Sequence, residues 1–311
     1  MKLYSTNLAW KQINKLLPTE FQLTQSNLPK EEFWDWKGNK IHIDRYNNPK
    51  SKYRIFLHHG VGTNGRQMNM IFGSKMAELG YEVVAIDNLG YGMTKVNQKN
   101  ITYSDWIQLF TDFINYETHK NNKEIILFGL SAGGMIAYNT ACYLENISGI
   151  IGLCFLQNNN KEIGCKTAKT PLYRKVGIPL LKPLLYLPLK QLSIPMKWVS
   201  KMDKLTNNKE ALSIFLKDKL SAAAKVQIQF LYEYMTYKSL IDPEKFNKCP
   251  LLLTQPSEDK WTPLELSMIS LKNIKSKLTI KTLDKSGHYP MELVGLNQLI
   301  KYSDEFIKNL K

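Results

Sequence analysis

The sequence predicts an α/β fold in which a mostly parallel sheet is covered by helices on both faces. Apolar runs of strand length alternate with helical patterns along most of the chain. One such run, residues 125–128, leads directly into a glycine-rich turn and the start of a helix. Runs without polar residues are typical of strands that are buried on both faces. The alternation therefore indicates helices packed against both sides of one sheet.

The predicted elements are assigned from these patterns in chain order. Strand patterns occupy residues 32–36, 40–46, 53–58, 81–86, 125–128, 149–156, 250–255 and 277–283. Helical patterns occupy residues 8–17, 67–79, 102–119, 208–219, 221–237, 263–272 and 297–310, and a further helix is expected to start near residue 134. Gly80 is a natural stop for the second of these helices.

The alternation of strands and helices breaks between residues 157 and 248. Five prolines divide an apolar stretch there, and no strand pattern of comparable quality appears. A plain loop of roughly 90 residues would be unusually long. We therefore expect a core formed by residues 1–157 and 249–311, with a helical insertion at residues 158–248.

Composition limits the classes of protein to which the chain can belong. The 311 residues are 43% hydrophobic, which suits one large domain or a domain with an insertion. Neither a secretory signal nor a membrane-spanning run is evident. The four cysteines have no metal-type spacing, so we expect reduced thiols and a cytoplasmic protein. The net charge of +15 comes without a nucleic-acid-binding motif, and nucleic acid is not an expected partner.

Residues 129–133, Gly-Leu-Ser-Ala-Gly, match the pattern G-x-S-x-G of a nucleophile elbow. A serine hydroxyl needs a base to take its proton, and its oxygen must project into a pocket. A sharp turn from strand to helix gives that projection, and only small residues fit where the strand and helix approach. The helix N-terminus would also direct amide hydrogens at a developing oxyanion. An ordinary glycine-rich turn is the alternative. The pattern makes Ser131 the candidate nucleophile.

The candidate base is His288, the only histidine that follows Ser131 in the chain. In sheets of this type the acid and then the histidine follow the serine. Asp259, in the loop after the penultimate strand, is the best candidate for the acid, because that loop lies at the same edge of the sheet as the serine. Glu258 is the second choice, and Asp242 and Asp284 are more distant ones. A solvated loop carboxylate is the alternative reading of Asp259.

The turn after the third strand, His59-Gly60-Val61, is the candidate for the rest of the oxyanion hole. One of the two amides of such a hole usually comes from this loop, and the other from the residue after the nucleophile. These would be the backbone N–H groups of Val61 and Ala132. The same residues could also occur in a turn that only connects a strand to a helix.

Together these motifs make the chain resemble the α/β-hydrolase family from about residue 53 to its end, apart from the insertion. The motifs, in order, are His59-Gly60, the Asp87–Thr94 stretch, Gly129–Gly133, Asp259 with Pro263, and Gly287-His288 with Glu292. The Asp87–Thr94 stretch resembles a structural turn of the family, and it is given no catalytic role. The insertion resembles the lid of monoacylglycerol-lipase-like and lysophospholipase-like members. Thr254-Gln255-Pro256 departs from the His-Gly pair usual after the penultimate strand.

The insertion carries much of the positive charge of the chain. Residues 158–248 hold 17 basic and 7 acidic residues, a net charge of +10, and residues 163–202 hold no acidic residue. Lysines alternate there with leucines, Trp198 and Val199. Such a segment can pack its apolar side chains on the core while its lysines extend into water. Alternatively, it can rest on an anionic lipid surface.

These observations predict a serine hydrolase that cleaves an acyl ester with an apolar acyl chain through an acyl-enzyme. Neither a metal nor an organic cofactor is expected. An acyl thioesterase or acyltransferase with the same three residues is the first alternative, and a basic lid would suit an acidic acyl carrier. A peptidase and a non-catalytic ligand-binding relative are the others.

Overall fold

A computed structural model describes residues 2–172 and 177–310 of the chain, and at its centre lies an eight-stranded sheet. Its strands are β1 (Lys30–Trp36), β2 (Asn39–Tyr46), β3 (Tyr53–His58), β4 (Glu82–Ile86), β5 (Glu124–Gly129), β6 (Gly149–Gly152), β9 (Leu251–Pro256) and β10 (Leu278–Leu283), while β7 (Ser193–Pro195) and β8 (Lys225–Gln227) form a separate pair. The strand order is β1-β2-β4-β3-β5-β6-β9-β10. Strand β2 pairs antiparallel with both of its neighbours, and every other pair in this sheet is parallel. The prediction of a mostly parallel sheet is confirmed.

Helices flank this sheet. The helices are α1 (Ala9–Lys15), α2 (Gly65–Met68), α3 (Ser74–Glu78), α4 (Tyr103–Lys120), α5 (Ala132–Tyr143), α6 (Lys161–Thr167), α7 (Ile178–Leu184), α8 (Met196–Val199), α9 (Lys209–Phe215), α10 (Ile228–Thr236), α11 (Leu264–Ser270) and α12 (Leu293–Lys308). A π-helical turn, Asn69–Gly73, joins α2 to α3. Helices α4 and α5 pack on each other, and α12 packs on α3 and the π-helical turn. These groups form the two helical layers. None of the described helices is long and apolar enough to cross a bilayer.

Several boundaries differ from the sequence-based prediction, and that of β6 has a clear physical reason. Strand β6 ends at Gly152, although the apolar run continues to residue 156. The rest of that run is buried in a loop, where Phe155 packs against Gly152 so closely that a Cβ there would lie 2.5 Å from its ring. The apolar run therefore indicates which residues are buried, and the strand is only the first part of that run. Helix α12 starts at residue 293, four residues before the predicted start.

The insertion contains strands that the sequence did not predict. Strands β7 and β8 pair antiparallel, so the insertion contains a short two-stranded sheet in addition to its helices. The predicted helix at residues 221–237 is confined to α10, because residues 225–227 form β8. Pro195 is tolerated in β7 because this two-stranded sheet consists only of edges. Residues 173–176 of the predicted insertion lie outside the described residues.

The insertion contacts the loops at the carboxyl end of the large sheet. The Leu220 carbonyl accepts hydrogen bonds from Asn64, after β3, and from the amide of Gly92, after β4. Leu205 accepts one from the amide of Tyr289, after β10, at 2.7 Å. These contacts place the insertion over the edge of the sheet where Ser131 lies.

The turn after β4 is built around the buried carboxylate of Asp87. It accepts hydrogen bonds from the amides of Gly65 and Met93 and from the Tyr4 hydroxyl, and it lies 3.0 Å from His42 Nδ1. The N-terminal segment is therefore tied to the loops that follow β3 and β4. The contacts of Asp87 are those of a structural turn.

Candidate active site

Ser131 lies at the sharp turn between β5 and α5. Its backbone has φ 60° and ψ −125°, a strained conformation for a residue with a side chain. The turn requires glycine on both sides. A Cβ on Gly129 would lie 2.2 Å from the carbonyl oxygen of Gly133, and one on Gly133 would lie 2.0 Å from that of His58. The sequence pattern therefore corresponds to a real steric requirement.

His288 and Asp259 form a buried pair. Nδ1 of His288 donates a hydrogen bond to Oδ2 of Asp259 at 2.8 Å, and both side chains are almost completely buried. Asp259 follows β9 and His288 follows β10, so adjacent parallel strands bring the two residues together. Nε2 of His288 is buried and has no hydrogen-bond partner among the described residues. The free nitrogen is the one that a general base would use.

A single sulfur atom lies between the nucleophile turn and this pair. The Cys154 thiol, completely buried after β6, lies near the backbone of Ser131 and the side chain of Thr262. The Thr262 hydroxyl in turn lies 3.0 Å from His288 Nδ1. Burial raises the pKa of the Cys154 thiol, so it stays protonated. Ser131 therefore lies near the same buried thiol as the pair, without a hydrogen bond to Nε2 of His288.

The carboxylate of Asp259 is held in its charged form. Burial by itself would raise its pKa, but the charge of His288 and hydrogen bonds from His288 and Thr262 lower it to about 2. The amides of Trp261 and Thr262 donate to Oδ1 at 2.8 and 2.7 Å. An acid that stays ionised can stabilise a positive imidazolium beside it.

The other acidic candidates lie elsewhere. The side chains of Glu258, Asp242 and Asp284 are exposed, and Asp284 accepts a hydrogen bond from Gln298. Of the four carboxylates considered from the sequence, only Asp259 contacts His288. The remaining histidines have other partners. His58, for example, is stacked on Phe110.

Sequence reasoning missed Thr262. Its hydroxyl donates to Oδ2 of Asp259 at 2.7 Å while it lies 3.0 Å from His288 Nδ1, so it bridges the two residues of the pair. A threonine in the turn between Pro256 and Pro263 has no sequence pattern that marks it as a site residue. Only its position three residues after the acid could have suggested a role, because a turn of that length returns the chain to the carboxylate.

We expect Thr262→Val to lower kcat by about 10-fold to 100-fold. Valine has nearly the same shape as threonine, but it cannot donate the charge-assisted hydrogen bond to the buried carboxylate. Thr262→Ser keeps the hydroxyl and should retain most of the activity. Steady-state hydrolysis of a p-nitrophenyl ester across pH 5–9 measures both variants. Equal losses in the two variants would show that the methyl group matters rather than the hydroxyl.

The two candidate oxyanion amides are close to each other. A Cβ on Gly60 would lie 3.0 Å from the Cβ of Ser131 and 3.4 Å from the amide nitrogen of Ala132, so the turn after β3 touches the elbow. His59 fixes this turn, because its Nε2 accepts a hydrogen bond from the amide of Asn88 at 2.9 Å. No described residue accepts a hydrogen bond from the amide of Val61 or Ala132. Both donors remain free for a ligand oxygen.

An apolar cavity of about 150 Å³ adjoins these residues. Val61 and Trp261 line it, and the Trp261 ring centroid lies 4.9 Å from that of His288. The other lining residues are Thr167, Ala168, Gly177, Leu181, Ile194, Met196, Val199, Ser200, Leu231, Tyr234 and Met235, all from the insertion. None of these lining residues is acidic. The cavity suits an uncharged, apolar group.

One cluster away from this site has the composition of a metal site. Ligand atoms of Glu31, His42 and Asp44 lie within 4.8 Å of one another. Arg66, however, donates two hydrogen bonds to Asp44 and lies 3.4 Å from Glu31. Burial would lower the pKa of His42, but hydrogen bonds to Asp87 and Glu31 and the charges of Asp87 and Asp44 raise it to about 10. The carboxylates of this cluster are therefore balanced by the positive charges of Arg66 and His42.

The fold is that of an α/β hydrolase. Residues 49–292 match the model of a hydrolase family described as serine aminopeptidase, S33. The match covers more than three quarters of the chain, which therefore belongs to this family.

Solved structures with the same fold are distant in sequence. A monoglyceride lipase from Saccharomyces cerevisiae, in complex with a substrate analogue, is 17% identical with a TM-score of 0.73, covering 94% of this chain and 97% of that one. A monoacylglycerol lipase from Paleococcus ferrophilus is 18% identical with a TM-score of 0.66, covering 86% and 98%. Mouse alpha/beta hydrolase domain-containing protein 10 is 17% identical with a TM-score of 0.61, covering 91% and 100%. At these identities the likeness establishes the fold alone. No curated protein matches the chain by sequence.

Proposed function

We propose that the protein is a serine hydrolase that cleaves acyl esters, with Ser131 as nucleophile, His288 as general base and Asp259 as the acid that orients the histidine. The observation that carries this proposal is the buried Asp259–His288 hydrogen bond of 2.8 Å with the second nitrogen of His288 free. A buried imidazole in this state can accept a proton at Nε2 while its Nδ1–H stays fixed on a carboxylate.

The proposed reaction has two steps. The Ser131 hydroxyl oxygen forms a bond to the carbonyl carbon while its proton moves to Nε2 of His288, and the amides of Val61 and Ala132 bind the oxyanion. The C–O bond to the leaving alcohol then breaks, and His288 returns the proton to that alcohol. Water attacks the acyl-enzyme by the same proton route and releases the carboxylic acid and free Ser131.

We further propose that the insertion, residues 158–248, acts as a lid over the acyl-binding cavity. Insertion residues form most of the cavity wall, and they also contact the loops that carry the candidate site. An apolar cavity of about 150 Å³ is large enough for benzene, a ring of six carbons. An acyl chain of about six carbons would therefore fit without opening the lid.

A chain-length series tests this function. We expect p-nitrophenyl hexanoate or octanoate to be cleaved with a higher kcat/KM than the acetate or the palmitate. Each CH₂ buried in the cavity adds about 0.8 kcal/mol until the cavity is full. Turnover that is independent of chain length would contradict binding of the acyl chain in this cavity.

The description of the family favours one second candidate, an aminopeptidase. Such an enzyme needs a group that binds the ammonium of its substrate, and none of the cavity-lining residues is acidic. We expect esters to be preferred over aminoacyl p-nitroanilides, and the reverse preference would favour the peptidase. Turnover of acyl thioesters in place of esters would favour the thioesterase or acyltransferase. A non-catalytic relative would cleave none of these substrates.

The described cysteines are all free thiols. This supports the sequence-based proposal of a cytoplasmic protein, since disulfides are rare in a reducing compartment.

A further inference from the structure

The exposed apolar residues of the chain are concentrated in one part of the insertion. Among the described residues, 17 large hydrophobic side chains are exposed, and 7 of them lie between residues 172 and 198. The most exposed of the seven are Tyr186 at 84%, Leu172 at 62%, and Leu180 and Trp198 at 61% each. Single exposed apolar residues need no explanation, but a concentration of them marks an interaction surface. We call residues 177–201 the outer lid segment.

The outer lid segment has two apolar sides. Leu181 and Met196 line the acyl cavity, whereas their neighbours Leu180 and Trp198 are exposed. The packing of Leu181 and Met196 around the cavity therefore does not require the exposed apolar side chains. The segment is a thin wall between the cavity and the exterior, so its outer apolar residues need a separate explanation.

The charge of the same segment has a single sign. It contains Lys182, Lys190, Lys197 and Lys201 and no acidic residue. No described carboxylate forms an ion pair with any of these four lysines, whereas Lys169, just before the segment, is paired with Asp203 at 2.6 Å. A positive surface with exposed leucine, tyrosine and tryptophan has the composition of a segment that lies in a lipid interface.

We propose that the outer lid segment docks the protein on an anionic lipid surface. The apolar side chains enter the boundary between headgroups and acyl chains, and the four lysines contact the anionic headgroups. Each lysine near such a surface strengthens binding about fivefold. An acidic protein partner would satisfy the lysines, but it would offer no apolar layer for Tyr186 and Trp198. The lipid surface therefore accounts for both properties of the segment.

Binding to the surface is a property separate from hydrolysis. It extends the proposed function only in that an apolar ester substrate would be concentrated next to the cavity wall. The binding experiment can be made with the Ser131→Ala variant, so its outcome does not depend on the catalytic assignment.

Co-sedimentation with vesicles tests the proposal. The 311-residue protein should sediment with mixed phosphatidylglycerol–phosphatidylcholine vesicles, and at least about tenfold less with pure phosphatidylcholine vesicles. Lys182→Gln/Lys197→Gln should weaken binding to the anionic vesicles by about tenfold or more. The matched control Lys272→Gln/Lys275→Gln removes the same charge from exposed positions outside the insertion, and it should bind like the wild type.

A second pair of variants tests the apolar contribution. Leu180→Ser/Trp198→Ser should weaken binding by about tenfold or more, and Leu79→Ser/Leu293→Ser, at exposed positions of the core, should not. Equal thermal unfolding of all the variants excludes a loss of folding. Negligible binding to both kinds of vesicle would overturn the proposal. Retention on an immobilised acidic acyl carrier without vesicle binding would overturn it in favour of a protein partner.

Discussion

Ser131→Ala should abolish ester hydrolysis, with a loss of about 10⁴-fold or more in kcat. The variant keeps the free amides of Val61 and Ala132 and the Asp259–His288 pair, but it has no oxygen to form the acyl-enzyme. Residual activity from the oxyanion hole alone is small. The measurement is p-nitrophenyl ester turnover, combined with labelling by a fluorophosphonate probe that reacts only with an activated serine.

The control for this experiment is Ser257→Ala. Ser257 is an exposed serine in the loop after β9, at the same end of the sheet, and its backbone amide bonds to Leu283. The Ser257→Ala variant should hydrolyse the ester, and be labelled by the fluorophosphonate probe, to the same extent as the wild type. Full hydrolysis by Ser131→Ala would contradict the assignment of the nucleophile. Hydrolysis without any labelling of the wild type would do the same, because it would indicate chemistry that bypasses the serine.

The elements that the sequence predicts well are those whose signals are local. Strand β3 has the predicted bounds, and β5 contains the predicted apolar run. The glycines around Ser131 are required by contacts of about 2 Å, so the motif and the turn are inseparable. The order of acid and histidine along the chain predicted Asp259 and His288 as partners, and they do form a hydrogen bond because adjacent parallel strands carry them to the same edge.

The elements that the sequence did not predict depend on distant contacts. Strand β7 is three residues long and ends in a proline, and it exists because β8, thirty residues later, pairs with it. The bond from Tyr4 to Asp87 links positions 83 residues apart. Thr262 contacts Asp259 and His288 because the turn that begins at Asp259 ends at residue 262, and no pattern of residue types predicts where this turn ends. A sequence pattern reports local geometry and burial, whereas these features arise only when the chain has folded.

Asp259→Asn should lower kcat by about 10⁴-fold while the fold is retained. An amide of the same shape cannot stabilise the imidazolium, and it favours the wrong tautomer of His288. The matched control is Glu258→Gln, the same change in charge at the neighbouring exposed carboxylate, which does not contact His288. It should retain activity within about twofold, because an exposed charge has little influence on the buried pair. Loss of activity in Glu258→Gln alone would make Glu258 the acid.

The same aspartate should also make stability depend on pH. Its pKa is lowered from 3.8 to about 2 in the folded protein, a shift that corresponds to about 2 kcal/mol. Because the folded state binds the proton more weakly, this stabilisation is present above pH 4 and is lost as the pH falls towards 2. The free energy of unfolding should therefore differ between wild type and Asp259→Asn by more at pH 5 than at pH 2.5, as measured by urea denaturation. A difference that stays constant or grows on acidification would mean that Asp259 is not held as a carboxylate beside a charged His288.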